Sequence, residues 1–436
     1  MGSAKRGMLF GCGLFVMLMH VLQRLGGRSA TTALLSRAGM VGANFAVMLS
    51  LTSTLGMAVF GELVFLWGQA LVISTVVSCG GPLLVLRNLS DGRGLRAARI
   101  AWLAVVLPAI MGLVIWLGAT AVWPQPQWLA VIIAAFNINF LNCLASIMRA
   151  LGSVQISMIL RDAGPFVALG IAGVAAATAE VATIIIWAAL VMALMACAAL
   201  VWCYQRHIPQ TGIDAGDQIG WTWSLWGTQV LGMVLAQIDL ILGGLLLPAQ
   251  DLGLYAVLRR VANVVALPVS VATWISAKPV AAACGAHDPV AMQAASAHGS
   301  QVAWYTGLGL AVGCFAGLAL AAAWPQSMVT GIAAQSFSVL VLGALAQAFF
   351  ASGLTVATLG NQARLSAVAR GLSILLYLSA AAVIGSTLTP LSNALSYVSA
   401  ITAGSVLVWW GVWRRFGIDT SAYVLWTSEA VRWRTS

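Results

Sequence analysis

Charge is what this chain has least of. Only 7% of its 436 residues are Asp, Glu, Lys or Arg, against about 25% in soluble domains. So few charges cannot cover a water-exposed surface, which excludes a soluble protein of two or three domains. Acids are scarcer than bases, 11 against 21, and no carboxylate pair suited to acid–base chemistry is found. The four His (His20, His207, His287, His298) stand apart, and no H-E-x-x-H, nucleophile elbow or P-loop occurs. An enzyme, a metal centre and an ATPase within this chain are therefore not expected, and no resident cofactor is. No two Cys form a C-x-x-C, so neither a disulfide framework nor a zinc site is expected.

What is present is apolar sequence. Hydrophobic residues make up 61% of the chain, and a membrane-spanning helix needs about 20 of them in a run. Twelve such runs are read at 38–57, 63–86, 100–122, 128–148, 163–178, 182–203, 224–247, 254–275, 301–323, 332–358, 366–386 and 392–413. The fifth is short and extends toward Arg161. The basic residues test this count, because cytoplasmic connectors concentrate Lys and Arg. Alternate connectors hold Arg87, Arg93, Arg96 and Arg99, then Arg149, Arg206, Lys278, Arg364 and finally Arg414, Arg415, Arg432 and Arg434. The intervening set, 58–62, 123–127, 179–181, 248–253, 324–331 and 387–391, contains none. An all-α, twelve-helix membrane protein with both termini in the cytoplasm follows. The net charge of +10 reflects this bias and gives no reason to expect nucleic acid. The run 7–23 has basic residues on both flanks, which favours an interfacial or re-entrant helix, with a thirteenth span as the alternative.

The halves share landmarks in the same order. Trp123-Pro124-Gln125 matches Trp324-Pro325-Gln326, Leu151-Gly152-Ser153 matches Leu359-Gly360-Asn361, and Gly61 before the second run matches Gly253 before the eighth. Two pseudo-symmetric six-helix lobes are expected, 37–203 and 221–415. An N-terminal segment 1–36, a cytoplasmic linker 204–220 and a tail 416–436 complete the chain.

Ionisable residues at membrane depth are costly and usually face a cavity. Arg259 and Arg260 lie within the eighth run, at about 10 Å from its charge-poor end, and Asp239 lies at about 12 Å in the seventh. One carboxylate cannot neutralise two guanidinium groups, so at least one Arg is expected to meet an anionic ligand or a wet cavity. Asn139, Asn142, Ser146 and Arg149 share one face of the fourth run, and Arg370, Ser373 and Tyr377 repeat that spacing in the eleventh. Arg37 and Asn44 share a face in the first. The bland alternative is that Arg37, Arg149 and Arg370 snorkel to headgroups. Taken together, these residues describe a cavity wall richer in cations and amides than in acids.

The stretch 239–288 carries a resemblance. Asp239, the Gly253-x-Tyr255 opening, Arg259 or Arg260, and Pro279 stand where Wzx-type polysaccharide flippases of the MOP superfamily have comparable residues. Gly61, Gly80-Gly81, Arg87 and Arg149 agree in the first half, and the likeness spans about 37–415. The segment 1–36 and the lack of embedded Lys depart from it. The resemblance implies an alternating-access flippase of a bacterial inner membrane, built as two MATE/MOP-like lobes. Its cargo would be an undecaprenyl-diphosphate-linked repeat unit of O-antigen, capsule or exopolysaccharide. Coupling to Na+ or H+, with Asp239 as the ion-coupling or charge-pairing residue, is also implied. So are a monomeric state among membrane lipids and partners among the glycosyltransferases and polymerase of the same pathway. A MATE-type drug–cation antiporter and another MOP lipid flippase stay open as alternatives. A membrane-embedded glycosyltransferase or polymerase would bring large external loops, which this sequence lacks.

Overall fold

A computed structural model describes residues 39–90, 97–205, 223–286, 288–322, 331–360 and 362–425. The segment 7–23, Arg37, linker residues 206–220 and the tail beyond 425 lie outside these. Eleven helices among the described residues are long and apolar enough to cross a membrane, and a twelfth, α1 (Gly39–Leu55), is apolar but shorter. The eleven are α2 (Met57–Val77), α3 (Arg99–Val122), α4 (Gln127–Ala150), α5 (Gln155–Ala175), α6 (Val181–Cys203), α7 (Trp226–Leu246), α8 (Ala249–Thr273), α9 (Pro289–Leu320), α10 (Gly331–Phe349), α11 (Arg364–Ile384) and α12 (Pro390–Phe416). Helices are what the composition dictates, since hydrocarbon leaves every backbone N–H and C=O to be satisfied within the chain.

Connectors are short, so sequential helices run antiparallel. One end of the bundle gathers Arg149, Arg364, Arg414 and Arg415 and is called the basic end here. At the other, residues 123–126, 176–180, 247–248 and 385–389 carry no Lys or Arg. In the first half α4 is central, packing on α2 and α6, while α5 packs on α6. In the second, α12 packs on α10 and α11, α9 lies between the continuation of α8 and α10, and α7 packs on α11. The halves meet where α2 lies against α7 and α8. Leu113, Val114, Leu117, Leu194 and Val383 are exposed on the outside, as a lipid-facing surface requires.

Several boundaries differ from the sequence reading, each for a physical reason. The second helix starts at Met57, not 63, because Gly56 (φ 79) makes the turn and Glu62 does not. The Glu62 side chain instead accepts a bond from Gln127 Nε2 at 3.0 Å inside the first lobe. The same run breaks after Val77, and Gly81–Ser90 forms a separate helix. Gly61 and Gly253 thus lie within α2 and α8, not ahead of them. Their faces touch: a Cβ on Gly61 would run into the Ala249 carbonyl, and one on Gly253 into the Met57 carbonyl. The repeat-related glycines form the crossing that brings the halves together at the charge-poor end.

Prolines shape three helices. A π-helical turn, Trp102–Val106, precedes Pro108 in α3, and another, Ile159–Ala163, precedes Pro165 in α5. A 3-10 turn, Asn263–Ala266, precedes Pro268 in α8. Proline has no N–H, so carbonyls of the preceding turn need other donors. Asn139 Nδ2 reaches the Ala104 carbonyl at 3.5 Å, and Asn44 Nδ2 reaches the Asp162 carbonyl at 3.5 Å. At the basic end, Gly417 (φ 68) closes α12 and the chain turns back. There Asp419 Oδ1 accepts from Trp409 Nε1 at 2.7 Å, and the Asp419 N–H donates to Gln293 Oε1 at 2.7 Å, tying the end of α12 to α9.

Candidate functional site

The two adjacent arginines of α8 do different things, because neighbours on a helix point about 100° apart. α8 starts at Ala249, so Arg259 lies about 15 Å along it, deeper than the sequence reading placed it. Its guanidinium turns into the second lobe. Nε is 2.6 Å from Asp239 Oδ2, and the two side chains are 6% and 0% exposed. Nη2 donates to the Ala236 carbonyl at 2.6 Å and to Tyr397 Oη at 3.0 Å, and the guanidinium carbon lies 4.8 Å from the Tyr397 ring centre. Tyr255 Oη donates to Asp239 Oδ2 at 2.8 Å. Asn393 Nδ2 donates to the Asp239 carbonyl at 3.2 Å, and Tyr377 Oη donates to Asn393 Oδ1 at 2.5 Å. This network joins α7, α8, α11 and α12. Asp239, Arg259 and Tyr377 are therefore buried inside the lobe, at 0%, 5% and 0% exposure.

Arg260 turns the other way, toward the first lobe. Its guanidinium carbon lies 4.2 Å from the centre of the Phe166 ring on α5. It makes no hydrogen bond or ion pair among the described residues. With Asn44, Trp67, Phe166 and Gln237 it lines a recess of 40 Å³ between the lobes.

Toward the basic end lies a cavity of 530 Å³, walled by α2, α4 and α5 of one lobe and by α7 and α11 of the other. Asn142, Ser146, Arg149, Arg161, Asp162, Gln229 and Arg370 supply its polar groups. Arg161 and Asp162 pair at 2.9 Å. Arg370 Nη1 donates to the Thr228 carbonyl at 2.5 Å, lying against Gly232, where a Cβ would crowd it at 2.6 Å. Phe166 and Leu71 border both cavity and recess, so the two spaces adjoin. Among the described lining residues are four Arg and one Asp.

Of the residues picked from sequence, Arg149, Arg370 and Asn142 come together in the cavity, and Asn44 and Arg260 in the recess. Asn139 does not join them: it is 0% exposed and serves the backbone of α3. Sequence reasoning missed Asn393 and Tyr397 as partners of Asp239 and Arg259. Their spacing of four on α12 was the available signal, since a buried guanidinium demands acceptors.

No family model and no curated protein sequence matches the chain. Solved structures do. The fold is that of MOP-superfamily transporters. One match is described as an inward-facing multidrug resistance MATE transporter of that superfamily, with TM-score 0.61, 11% identity, and 87% of this chain and 94% of that one covered. Another is the lipid II flippase MurJ in an inward closed conformation, with TM-score 0.61, 12% identity, and 87% and 86% covered. A third is a mutant of the Vibrio cholerae MATE transporter VcmN, with TM-score 0.57, 14% identity, and 93% and 100% covered. At such identities the likeness speaks for the fold.

Proposed function

We propose that this chain is an alternating-access transporter that flips a lipid-linked anionic oligosaccharide, of the polyprenyl-diphosphate class, across a bacterial inner membrane. Loading is from the basic end, which the positive-inside bias assigns to the cytoplasm. The observation that carries this reading is the cavity between the lobes, where Arg149, Arg161 and Arg370 meet a single carboxylate, Asp162. A guanidinium presents a fixed fork of donors that matches phosphate oxygens bidentately. Arg149 ends α4 near the membrane surface, the depth at which a lipid diphosphate sits while its tail stays in the bilayer.

A drug–cation antiporter of the same fold would present the opposite charge, because cationic drugs would be repelled by this wall. Arg259 is committed to Asp239, so the diphosphate is assigned to Arg149 and Arg370 instead. Native mass spectrometry of the protein in nanodiscs, with undecaprenyl diphosphate or the cation rhodamine 6G as probe, tests the assignment. Binding of the diphosphate lipid is expected, weakened about tenfold or more in Arg149→Gln/Arg370→Gln. Preference for rhodamine 6G, or diphosphate binding unchanged in the double variant, would overturn it.

A further inference from the structure

The recess beyond the cavity holds polar groups that nothing among the described residues satisfies. Trp67 is 2% exposed and lines the recess, yet its indole N–H has no acceptor among the described residues. Asn44 Oδ1 is buried there without a donor among the described residues. Orphaned buried groups of this kind are rare and call for an explanation. The Arg260 guanidinium carbon lies 4.2 Å from the Phe166 ring centre, and its N–H donors have no acceptor among the described residues. The recess therefore brings together one cation, one indole donor and the amides of Asn44 and Gln237. The Gln237 amide also lines it, and Phe60, Val64, Leu71 and Phe166 supply apolar wall.

We propose that this recess is a subsite for a sugar carboxylate, so that the cargo's leading end carries an acidic sugar. The inference rests on the reading that the cargo enters the adjoining cavity. One unpaired guanidinium balances one negative charge, which suits a carboxylate; a diphosphate would bring more charge than Arg260 alone can match. The fork of Arg260 takes two lone pairs of a carboxylate, the Trp67 N–H supplies a third donor, and Asn44 Oδ1 accepts from a neighbouring hydroxyl. A volume of 40 Å³ is room for a few heavy atoms and not for a ring. The pyranose then stays at the mouth, against Phe166 and Leu71. Closure of the lobes on the charge-poor side of the recess stops the cargo here.

The test uses the full chain in nanodiscs and measures calorimetric binding of three probes, D-glucuronate, D-glucose and inorganic pyrophosphate. Glucuronate is expected to bind and glucose to bind at least tenfold more weakly. Glucuronate affinity should fall about tenfold or more in Arg260→Gln and about threefold to tenfold in Trp67→Phe, which keeps the ring and removes the donor. Both variants should keep pyrophosphate binding, whereas Arg149→Gln should lose pyrophosphate and keep glucuronate. No glucuronate binding by the parent chain, equal binding of glucose, or glucuronate binding indifferent to Trp67→Phe would each overturn the subsite. No pyrophosphate binding by the parent chain, or pyrophosphate binding unchanged in Arg149→Gln, would count against the cavity's role in holding diphosphate and leave the recess standing.

Discussion

Asp239 and Arg259 show how one residue pair is fixed by its surroundings. Both charges are buried, and each is held by groups from other helices: Tyr255 on the Asp239 carboxylate, with Asn393 on its main-chain carbonyl, and Tyr397 and the Ala236 carbonyl on the arginine. Removing one partner strands the other charge, at a cost of about 3–5 kcal/mol. Arg259→Gln and Asp239→Asn should each lower the protein's thermal stability in detergent sharply, while the double change should recover part of the loss. Equal stability of Asp239→Asn and the parent, read by the unfolding midpoint, would show the pair to be structurally idle. Arg260, one residue on, has no such holders and belongs to the recess. The sequence displays both arginines alike, and only the rotation of α8 separates their roles.

Among helices, the crossing of α2 and α8 has the tightest requirement. Two backbones approach at Gly61 and Gly253, and a side chain on either meets a carbonyl of the other helix, which cannot move aside as a side chain would. Gly61→Val should part the helices at the charge-poor end, so a Cys placed at Val64, which lines the recess, should become reactive to a water-soluble maleimide applied from that side. A side-chain substitution without change in labelling would show the seal to lie elsewhere. This crossing was half-legible. The glycines stood out as matching landmarks of the two halves, but a pattern of apolar runs cannot tell a helix opening from a helix interior. Glu62 looked like a connector residue because a charge normally marks water; here Gln127 receives it inside the lobe. Asn139 was likewise legible as a polar residue in an apolar helix, and not as the partner of the Ala104 carbonyl, 35 residues away in sequence and adjacent in space.

Over the whole molecule, the helix count and the two-ended charge bias could be read from sequence because hydrocarbon constrains the backbone so strongly. The cavity could not, since it arises between lobes where α2, α4 and α5 face α7 and α11, and no local pattern encodes that approach. What results is an interior cavity toward the basic end, with the glycine crossing at the other, lined among the described residues by unequal numbers of cations and acids. Such an interior suits an anion handed from one face of a bilayer to the other. The central claim is that the arginines of this cavity carry a lipid-linked anion across. Its most direct test is flipping in proteoliposomes loaded with an undecaprenyl-diphosphate-linked oligosaccharide, scored by how fast the sugar becomes accessible to a membrane-impermeant glycosidase. The parent chain should accelerate exposure well above empty vesicles, and Arg149→Gln/Arg370→Gln, at equal reconstitution, should fall to the empty-vesicle rate. Flipping by the double variant at the parent rate would contradict the account.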